Sequence, residues 1–432
     1  MPAEVGVGLL GLGTVGRGVY RILEQNAALI SARAGASVRV RRILVRDPGK
    51  PRGLDLPPGL LTTHAEEVIG DPDVRVVVEV MGGVHPALEY VLEALERGKS
   101  VVTANKDMVA EHGRELFAAA ERRGCDLFFE ASVAGGIPII RTLKASLAAN
   151  RIHQIMGIVN GTTNYILTRM SREGVTFEKA LAEAQRLGYA EADPAADVDG
   201  HDAARKLAIL ASIAFNSRVP LHQVYVEGIA RIAPEDIRYA RELGYVVKLL
   251  ALGKETPEGI EARVHPVLLP CRHPLASVHD VFNAVFVRGD AVGETMFYGR
   301  GAGELPTASA VVADIIEAAR GILRGVPGLI GCTCFENKPV KPMPLVQSRY
   351  YIRLLVDDRP GVLAAIAKGF GDHRVSLASV LQKNTIGELA EIVLVTHRVA
   401  EGALRAAMAV VEGLPVVKRV ANIIRVEGEE EP

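Results

Sequence analysis

The sequence has few cysteines, almost no net charge and no long apolar run. Four cysteines in 432 residues are too few for a disulfide scaffold, so a reducing cytoplasm is the expected location. Lys and Arg total 50 against 51 Asp and Glu, which argues against a mainly electrostatic nucleic-acid or membrane-surface binder. No apolar run approaches the roughly 18 residues of a membrane helix. The N-terminus lacks a basic segment and becomes glycine-rich too early for a secretory signal.

Two of the cysteines, Cys332 and Cys334, are separated by a single residue. Such a pair can supply half of a metal site. Neither a second C-x-x-C nor a nearby His pair completes the ligand set, so the spacing does not favour a metal centre. The sequence leaves the role of this pair open.

The first third of the chain alternates short apolar runs with amphipathic segments. Runs at residues 5–10, 38–45 and 74–80 predict strands, and apolar residues at helical spacing follow them. The nearly continuous run at 74–80 is typical of a parallel strand that is buried on both faces. This alternation predicts an α/β fold, a Rossmann-type doubly wound parallel sheet over residues 1–134.

The rest of the chain predicts two further domains, which fits a length of about 150 residues per domain. Helical segments followed by strand-like runs predict an α+β catalytic and dimerisation domain over residues 135–330. Its last helix, at 304–323, is expected to pack back on the first domain. The proline-rich segment 338–348 predicts an exposed linker. Residues 349–432 then have the predicted order βαββαβ, which is the ferredoxin-like plan.

A G-x-G-x-x-G motif, Gly11-Leu-Gly13-Thr14-Val15-Gly16, follows the first predicted strand and opens a predicted helix. In this context Gly11 permits a tight turn, Gly13 lets a pyrophosphate approach the backbone, and Gly16 allows close helix–strand packing. The helix N-terminus, from Thr14 and Val15 onward, faces the anion. A glycine-rich turn without a ligand is the alternative, but the context favours a dinucleotide site.

The residue that recognises the ribose of the dinucleotide should follow the second strand. The sequence offers both Arg46, which favours the 2′-phosphate of NADP, and Asp47, which favours NAD. Both lie further past Gly16 than the usual spacing of about twenty residues, and an insertion at 31–37 accounts for the difference. We expect NADP to be preferred through Arg46, with NAD as a second coenzyme.

Two lysines stand in positions that suit catalysis. Lys106 follows a predicted parallel strand, the end at which ligands bind in such folds, although a solvent lysine that starts the next helix is an equal alternative. Lys206 ends a run of carboxylates, and Asp202 lies four residues before it on one helix face. Acids can hold a substrate ammonium group while a lysine protonates a developing alkoxide.

The acidic run has two simpler interpretations. The run could be a solvated loop with one surface ion pair, which contributes only about 0–1 kcal/mol. A calcium loop is disfavoured because the D-x-D-x-D-G ladder that closes on a Glu is missing.

These motifs, in this order, resemble those of the homoserine dehydrogenase family. The run at 184–206, with the pattern A-x3-G-Y-x3-D-P-x2-D-V-x-G-x-D-x3-K, is similar to the family signature. Further motifs match at residues 11–16, 103–106, 130–138, 160–165 and 301–307. The resemblance covers roughly residues 5–324. Residues 349–432 resemble an ACT domain, a small regulatory module that often binds amino acids, most clearly in the turn DDRPGVL.

The resemblance implies an activity and a role for each matching residue. The family interconverts L-aspartate 4-semialdehyde and L-homoserine with NADPH or NADH, in the biosynthesis of threonine, methionine and isoleucine. Lys206 is implied as the proton donor to the carbonyl oxygen, with Lys106 near the nicotinamide and the substrate. The implied substrate-binding residues are Thr162, Glu191, Asp197 and Asp202. The cofactor is implied to contact Gly188 and Gly303 as well. A sodium ion is implied at Glu130, Val133, Gly135 and Ile137, largely through backbone carbonyl oxygens, which suit a hard cation.

The resemblance also bears on partners and regulation. The family's members are usually dimers or tetramers, and threonine is the expected effector of the ACT module, although a module that only oligomerises is the alternative. A non-catalytic NADP-binding amino-acid sensor is disfavoured by the pairing of Lys106 with the carboxylate–Lys206 run. A semialdehyde-oxidising dehydrogenase needs a nucleophilic cysteine, and none lies in the lysine cluster. Neither nucleic acid nor membrane is an expected partner.

Overall fold

The computed structural model describes residues 4–328, 330–386 and 389–428. The strands in chain order are β1 (Glu4–Leu10), β2 (Ser37–Leu44), β3 (Leu61–Thr62), β4 (Val74–Glu79), β5 (Ser100–Thr103), β6 (Leu127–Phe128), β7 (Ile152–Ile158), β8 (Tyr225–Val226), β9 (Tyr245–Thr256), β10 (Gly259–Pro270), β11 (Phe282–Gly289), β12 (Gly293–Arg300), β13 (Gln347–Asp357), β14 (Leu377–Ile386), β15 (Leu389–Thr396), β16 (Val399–Ala400) and β17 (Val417–Val426). The α-helices are α1 (Thr14–Gln25), α2 (Ala27–Ala34), α3 (Glu66–Ile69), α4 (Ala87–Glu96), α5 (Lys106–Arg123), α6 (Gly161–Glu173), α7 (Phe177–Arg186), α8 (Ala195–Val198), α9 (His201–Ala214), α10 (Pro234–Glu242), α11 (Glu304–Arg324), α12 (Val362–Asp372) and α13 (Glu401–Glu412). Among these described residues, no helix is both long enough and apolar enough to cross a membrane.

The chain falls into two compact units, each assembled from separate stretches of sequence. The first consists of Met1–Ile155, Arg205–His222 and Asn283–Asn337. The second consists of Met156–Ala204, Gln223–Phe282 and Lys338–Pro432. The domain boundaries expected from the sequence follow chain order instead, and they stay predictions.

The first unit contains a six-stranded parallel sheet in the order β3-β2-β1-β4-β5-β6. This is the strand order of a doubly wound dinucleotide-binding sheet, so the Rossmann-type fold is confirmed. Valines and leucines of β1 and β4 are fully buried, as expected for strands covered on both faces. The strand order reverses between β1 and β4, and ligands bind at the carboxyl ends of strands at such a point.

Helix α11 packs against α1 within the first unit. A Cβ atom on Gly18 would lie 2.8 Å from the Cβ of Ala308, so only glycine lets the two helices approach this closely. Glu304, the first residue of α11, forms ion pairs with Arg17 at 3.4 Å and Arg21 at 2.6 Å. The start of α11 is thereby fixed beside the first turns of α1.

The second unit contains a ferredoxin-like module. Its strands pair in the order β17-β13-β15-β14, all antiparallel, and α12 and α13 contribute to one apolar core with them. The predicted βαββαβ plan is therefore confirmed. Strand β17 also pairs in parallel with β10, at Val267 with Arg425 and at Leu268 with Val426.

The proline-rich segment is partly exposed, at Pro342, Pro344 and Leu345 among others, but its first residues hydrogen bond with β10, and its role as a linker stays a prediction. Lys341 donates a backbone N–H to the Ile260 carbonyl at 2.8 Å, and the Ile260 N–H donates to the Pro339 carbonyl at 2.8 Å. Lys338 also pairs with Glu255 at 2.5 Å. Prolines exclude a regular ladder but leave carbonyl oxygens free to accept, so the segment follows the edge of β10.

Candidate active site

The glycine-rich turn has the shape that a pyrophosphate requires. Gly11 has a φ of 106°, which favours glycine, and a Cβ on Gly16 would lie only 2.4 Å from the Gly11 carbonyl oxygen. At Gly13, by contrast, a Cβ would have no described atom within 4 Å. Helix α1 begins at Thr14 without a side-chain cap, so its first N–H groups can bind an anion.

Arg46 lies at the same edge of the sheet as this turn. Leu10 pairs with Leu44, and the Gly11 N–H donates to the Leu44 carbonyl at 3.1 Å, so Arg46 follows two residues beyond that edge. Its side chain is exposed and forms no ion pair within the described part of the chain. This is the position at which a ribose or its 2′-phosphate is recognised in such folds.

Two arginines of β2 itself form ion pairs away from the glycine-rich turn. Arg39 and Arg41 pair with Glu4 at the first residue of β1, which is the opposite end of the sheet from the glycine-rich turn. Asp47 accepts the Gly49 N–H at 2.8 Å. Helix α2 fills the insertion that separates Gly16 from β2 and accounts for the long spacing.

The carboxyl ends of β4 and β5 bring together a buried acid and a hydroxyl. Thr103 donates its Oγ1 hydrogen to Glu79 at 2.6 Å, and the Met81 N–H donates to the other carboxylate oxygen at 2.8 Å. Burial raises the pKa of Glu79, while these hydrogen bonds act in the opposite direction. Sequence reasoning missed Glu79, although a charged residue inside an apolar strand is a signal that could have identified it.

Lys106 is the first residue of α5, as its place after β5 predicts. Asn105 caps this helix by accepting the Met108 N–H at 3.1 Å, and its amide donates to the Gly83 carbonyl at 2.6 Å. These two bonds fix the start of α5 at the carboxyl edge of the sheet. Lys106 is half-buried there.

An ion pair joins the two segments that carry the predicted catalytic lysines. Asp107, next to Lys106, lies 2.5 Å from the Nε atom of Arg205, next to Lys206. The contact is electrostatic rather than a hydrogen bond, because the Nε–H has no acceptor in suitable geometry. The first turn of α5 therefore lies against this part of α9. The sequence offers no signal for this partnership.

The predicted substrate acids belong to the second unit, where Asn160 connects two of them. Its amide nitrogen donates to Asp197 at 2.7 Å and to Asp202 at 2.9 Å. Its Oδ1 atom accepts the Thr163 N–H at 2.9 Å and so caps α6. Two carboxylates that share one amide form an anionic site that suits an ammonium group. Asn160 lies in a recognised motif but was not predicted as a site residue.

The remaining predicted residues occupy separate positions. Thr162 donates its hydroxyl to the Tyr189 carbonyl at 2.7 Å and so fixes the turn after α7, in which Gly188 and Glu191 are exposed. Gly303, with a φ of 124°, precedes α11 in the first unit. Its neighbour Glu304 pairs with α1, so Gly303 lies near the glycine-rich turn.

The loop predicted to hold sodium is tightly folded. Ala134 and Gly135 both have positive φ, 56° and 51°, and a Cβ on Gly135 would lie 2.4 Å from the Gly301 carbonyl oxygen. The Glu130 carboxylate accepts the N–H groups of Ile140 at 2.7 Å and Arg141 at 2.8 Å. Its side-chain oxygens are therefore already engaged with the backbone.

Comparisons with known proteins identify the family of the chain. Family models match at residues 11–130 ("Homoserine dehydrogenase, NAD binding domain"), 138–316 ("Homoserine dehydrogenase") and 350–416 ("ACT domain"). The homoserine dehydrogenase of Bacillus subtilis (strain 168) is 47% identical over 424 residues, which cover 98% of each chain. The chain belongs to the homoserine dehydrogenase family. It is accordingly an oxidoreductase with an NAD(P)-binding domain and a C-terminal ACT domain.

Two solved homoserine dehydrogenases extend the comparison to structure. One from Thiobacillus denitrificans is 46% identical, with a TM-score of 0.94 and 98% of each chain covered. A hyperthermophilic archaeal homoserine dehydrogenase, described in complex with NADPH, is 30% identical with a TM-score of 0.63. It covers 73% of this chain and 98% of its own. Because the Thiobacillus denitrificans structure covers 98% of this chain, its similarity includes the ACT domain.

Proposed function

We propose that this homoserine dehydrogenase reduces L-aspartate 4-semialdehyde reversibly to L-homoserine, with NADPH as its preferred coenzyme. The observation that carries the proposal is the placement of Lys106 and Lys206 on segments joined by the Asp107–Arg205 ion pair. The first of these segments begins at the ligand-binding edge of the dinucleotide sheet. The residues therefore combine a cofactor cradle with two ammonium groups suited to carbonyl chemistry.

The reduced nicotinamide supplies a hydride when it is bound. Negative charge then develops on the aldehyde oxygen, and Lys206 stabilises that charge and donates the proton. Lys106 orients the carbonyl beside the nicotinamide. Asp197 and Asp202 hold the substrate ammonium group, assisted by Glu191, and Asn160 keeps the first two carboxylates at a fixed separation.

The preference for NADPH rests on Arg46. A guanidinium group binds phosphate with paired hydrogen bonds, and Arg46 is the exposed cation at the carboxyl end of β2. Asp47 uses its carboxylate within its own turn, so it is less suited to accept from a ribose hydroxyl. NADH is expected to serve with a higher KM.

A sodium ion at residues 130–137 fits only as a carbonyl-bound cation. The Glu130 carboxylate is occupied by two N–H groups, so the donors are the backbone oxygens of Glu130, Val133, Gly135 and Ile137. Such an ion would hold the loop that packs against Gly301. It should raise the melting temperature in sodium chloride above that in choline chloride at equal ionic strength. Equal melting temperatures would contradict the site.

Threonine feedback is proposed through a cleft of about 910 Å³ in the second unit, between α13, β17 and the segment after β8. Its volume lies within the usual range of ligand sites. Arg231 and Arg419 line this cleft together with Asp199 and Glu412, and none of the four forms an ion pair within the described residues. Unpaired charges of both signs are what a zwitterionic amino acid requires, with its carboxylate on arginine and its ammonium on the acids.

We infer an oligomer and a cytoplasmic location for the protein. Strand β14 stands at the end of its sheet, and pairing of such edges between two copies would give a dimer or tetramer. All four cysteines are free, which suits the cytoplasm. Size-exclusion chromatography with light scattering tests the oligomer, and a single protomer mass would contradict it.

The deciding assay follows NADPH absorbance with purified protein and L-aspartate 4-semialdehyde. Consumption of NADPH with formation of homoserine is expected. A sensor would bind NADPH without turnover, and an oxidising dehydrogenase would instead reduce NADP with this aldehyde. Cys125 does not suit the oxidising role, because burial raises the pKa of its thiol to about 11.

A further inference from the structure

A cluster of sulfur and basic groups lies in the first unit, apart from the proposed substrate residues. Cys332, Cys334, Arg218 and Lys144 line a small cavity whose walls are α5 and α9. The Arg218 guanidinium lies 3.9 Å from the Cys332 sulfur. The proposed reaction uses none of these side chains. Both sulfurs are half-buried, so a small reagent can approach them without unfolding the chain.

The two sulfurs differ in their surroundings. Cys334 donates its S–H toward the Ser212 carbonyl at 3.6 Å, on α9. Cys332 faces Arg218 and the Lys144 ammonium. The side chain and the backbone N–H of Cys334, then Arg218 and Lys144, outweigh burial and lower the pKa of Cys332 to about 6, whereas the Cys332 sulfur and burial raise the pKa of Cys334. Cys332 is therefore the more acidic thiol of the pair.

The Lys144 ammonium contacts two aromatic rings and a backbone carbonyl oxygen. It lies 5.1 Å from the ring centre of Phe117 and 5.5 Å from that of Phe129, and it donates to the Ile330 carbonyl at 3.3 Å. Burial lowers the pKa of Lys144, while the two cysteines and nearby acids raise it. The cavity thus combines a nucleophile, two cations and a second thiol on adjacent elements.

We propose that Cys332 is a reactive thiolate that peroxides oxidise and that Cys334 then captures as an intrachain disulfide. The Cys332 thiolate attacks one peroxide oxygen, a sulfur–oxygen bond forms, and the departing hydroxide takes up a proton to give water. The Cys334 thiol then attacks the Cys332 sulfur, a sulfur–sulfur bond forms and a second water leaves. The two thiols lose two electrons and two protons, and the peroxide is reduced to water.

The disulfide would also remove a contact between Cys334 and α9. Once Cys334 is oxidised it has no S–H, so the Ser212 carbonyl loses that donor. Ser212 lies on the helix that carries Lys206, six residues away. The sulfur pair therefore contacts a helix on which the proposed chemistry depends.

The chain contains its own reference thiols for a test. The reduced full-length protein is treated with limiting iodoacetamide at several pH values, and adducts are located by peptide mass spectrometry. Cleavage after Arg324 and Arg349 isolates Cys332 and Cys334 from Cys125 and Cys271. We expect the first adduct on Cys332, with a reaction midpoint near pH 6. The variant Arg218→Met should raise the pH of that midpoint, and Arg218→Lys should raise it by less, because lysine keeps the positive charge.

Stoichiometric hydrogen peroxide provides the second readout. The peptide should lose two hydrogens, about 2 Da, and recover them with dithiothreitol. In Cys334→Ser, dimedone should instead trap a sulfenic acid on Cys332, and Cys332→Ser should show neither product. First reaction at Cys271, an unchanged midpoint in Arg218→Met, or disulfides only between chains would overturn the proposal.

Discussion

Removing the amide of Asn160 should weaken substrate binding without unfolding the protein. This amide makes two hydrogen bonds to carboxylates, at 2.7 Å to Asp197 and 2.9 Å to Asp202. A hydrogen bond to a charged group contributes about 1.5–3 kcal/mol. The lower figure applies because Asp197 is only half-buried, so both bonds together give about 3 kcal/mol. Because both bonds also exist in the free enzyme, this energy sets an upper limit of roughly 100-fold on the loss in kcat/KM for homoserine.

Asn160 also caps α6, so the test variant must lose the amide donor while it keeps the helix cap. Asn160→Ser keeps a side-chain acceptor for the Thr163 N–H but cannot donate to both carboxylates. Asn160→Ala removes the cap as well and should cost about 1 kcal/mol more in unfolding free energy. Steady-state kinetics with homoserine and NADP, beside denaturant unfolding, measure the two effects. Near-normal kcat/KM in Asn160→Ser would refute the role of the amide.

Three further predictions concern the lysines, the coenzyme and the ACT domain. Lys206→Ala should lower kcat by about 10²-fold or more with the Kd for NADPH almost unchanged, and near-normal turnover would refute its role. Lys106→Ala should also lower kcat, and a double variant no worse than either single variant would show that the lysines act as one unit. Arg46→Ala should raise the KM for NADPH selectively, so an equal change for NADH would contradict phosphate recognition. Arg353→Met leaves the buried Asp236 without its cation and should destabilise the protein by about 3–5 kcal/mol in urea unfolding, with a smaller loss contradicting this account.

Local patterns predicted the dinucleotide sheet, because its glycines and apolar runs are constrained by neighbours in sequence. They also predicted Lys106 at the start of α5 and the helix shared by Asp202 and Lys206. The same patterns did not predict that Asp107 pairs with Arg205 or that Glu79 accepts a hydrogen bond from Thr103. Such contacts join residues far apart in sequence, and the pattern around each residue carries no information about its partner.

Buried polar contacts attach the ACT module to the rest of its unit. Arg353 of the module donates to Asp236 on α10 at 2.7 Å and to Glu391 at 2.9 Å. Tyr351 and Asn422 also donate to Asp236, at 3.2 and 2.7 Å. A charged group is retained in a core only when it is paired, so these residues bind the module firmly to its unit. Truncation after the linker would remove these three partners of Asp236 at once and expose its carboxylate to water.

A short series of contacts joins the proposed effector cleft to the proposed substrate acids. Arg425, on β17, pairs with Glu227 at 2.8 Å, and both line the cleft. The next residue, Gly228, packs so closely that a Cβ would lie 2.4 Å from the carbonyl oxygen of Val198. Val198 follows Asp197, which Asn160 holds beside Asp202. We therefore expect a ligand that moves Glu227 to shift the backbone beside Asp197. Because linkage is reciprocal, homoserine should change threonine affinity by the same factor that threonine changes homoserine affinity.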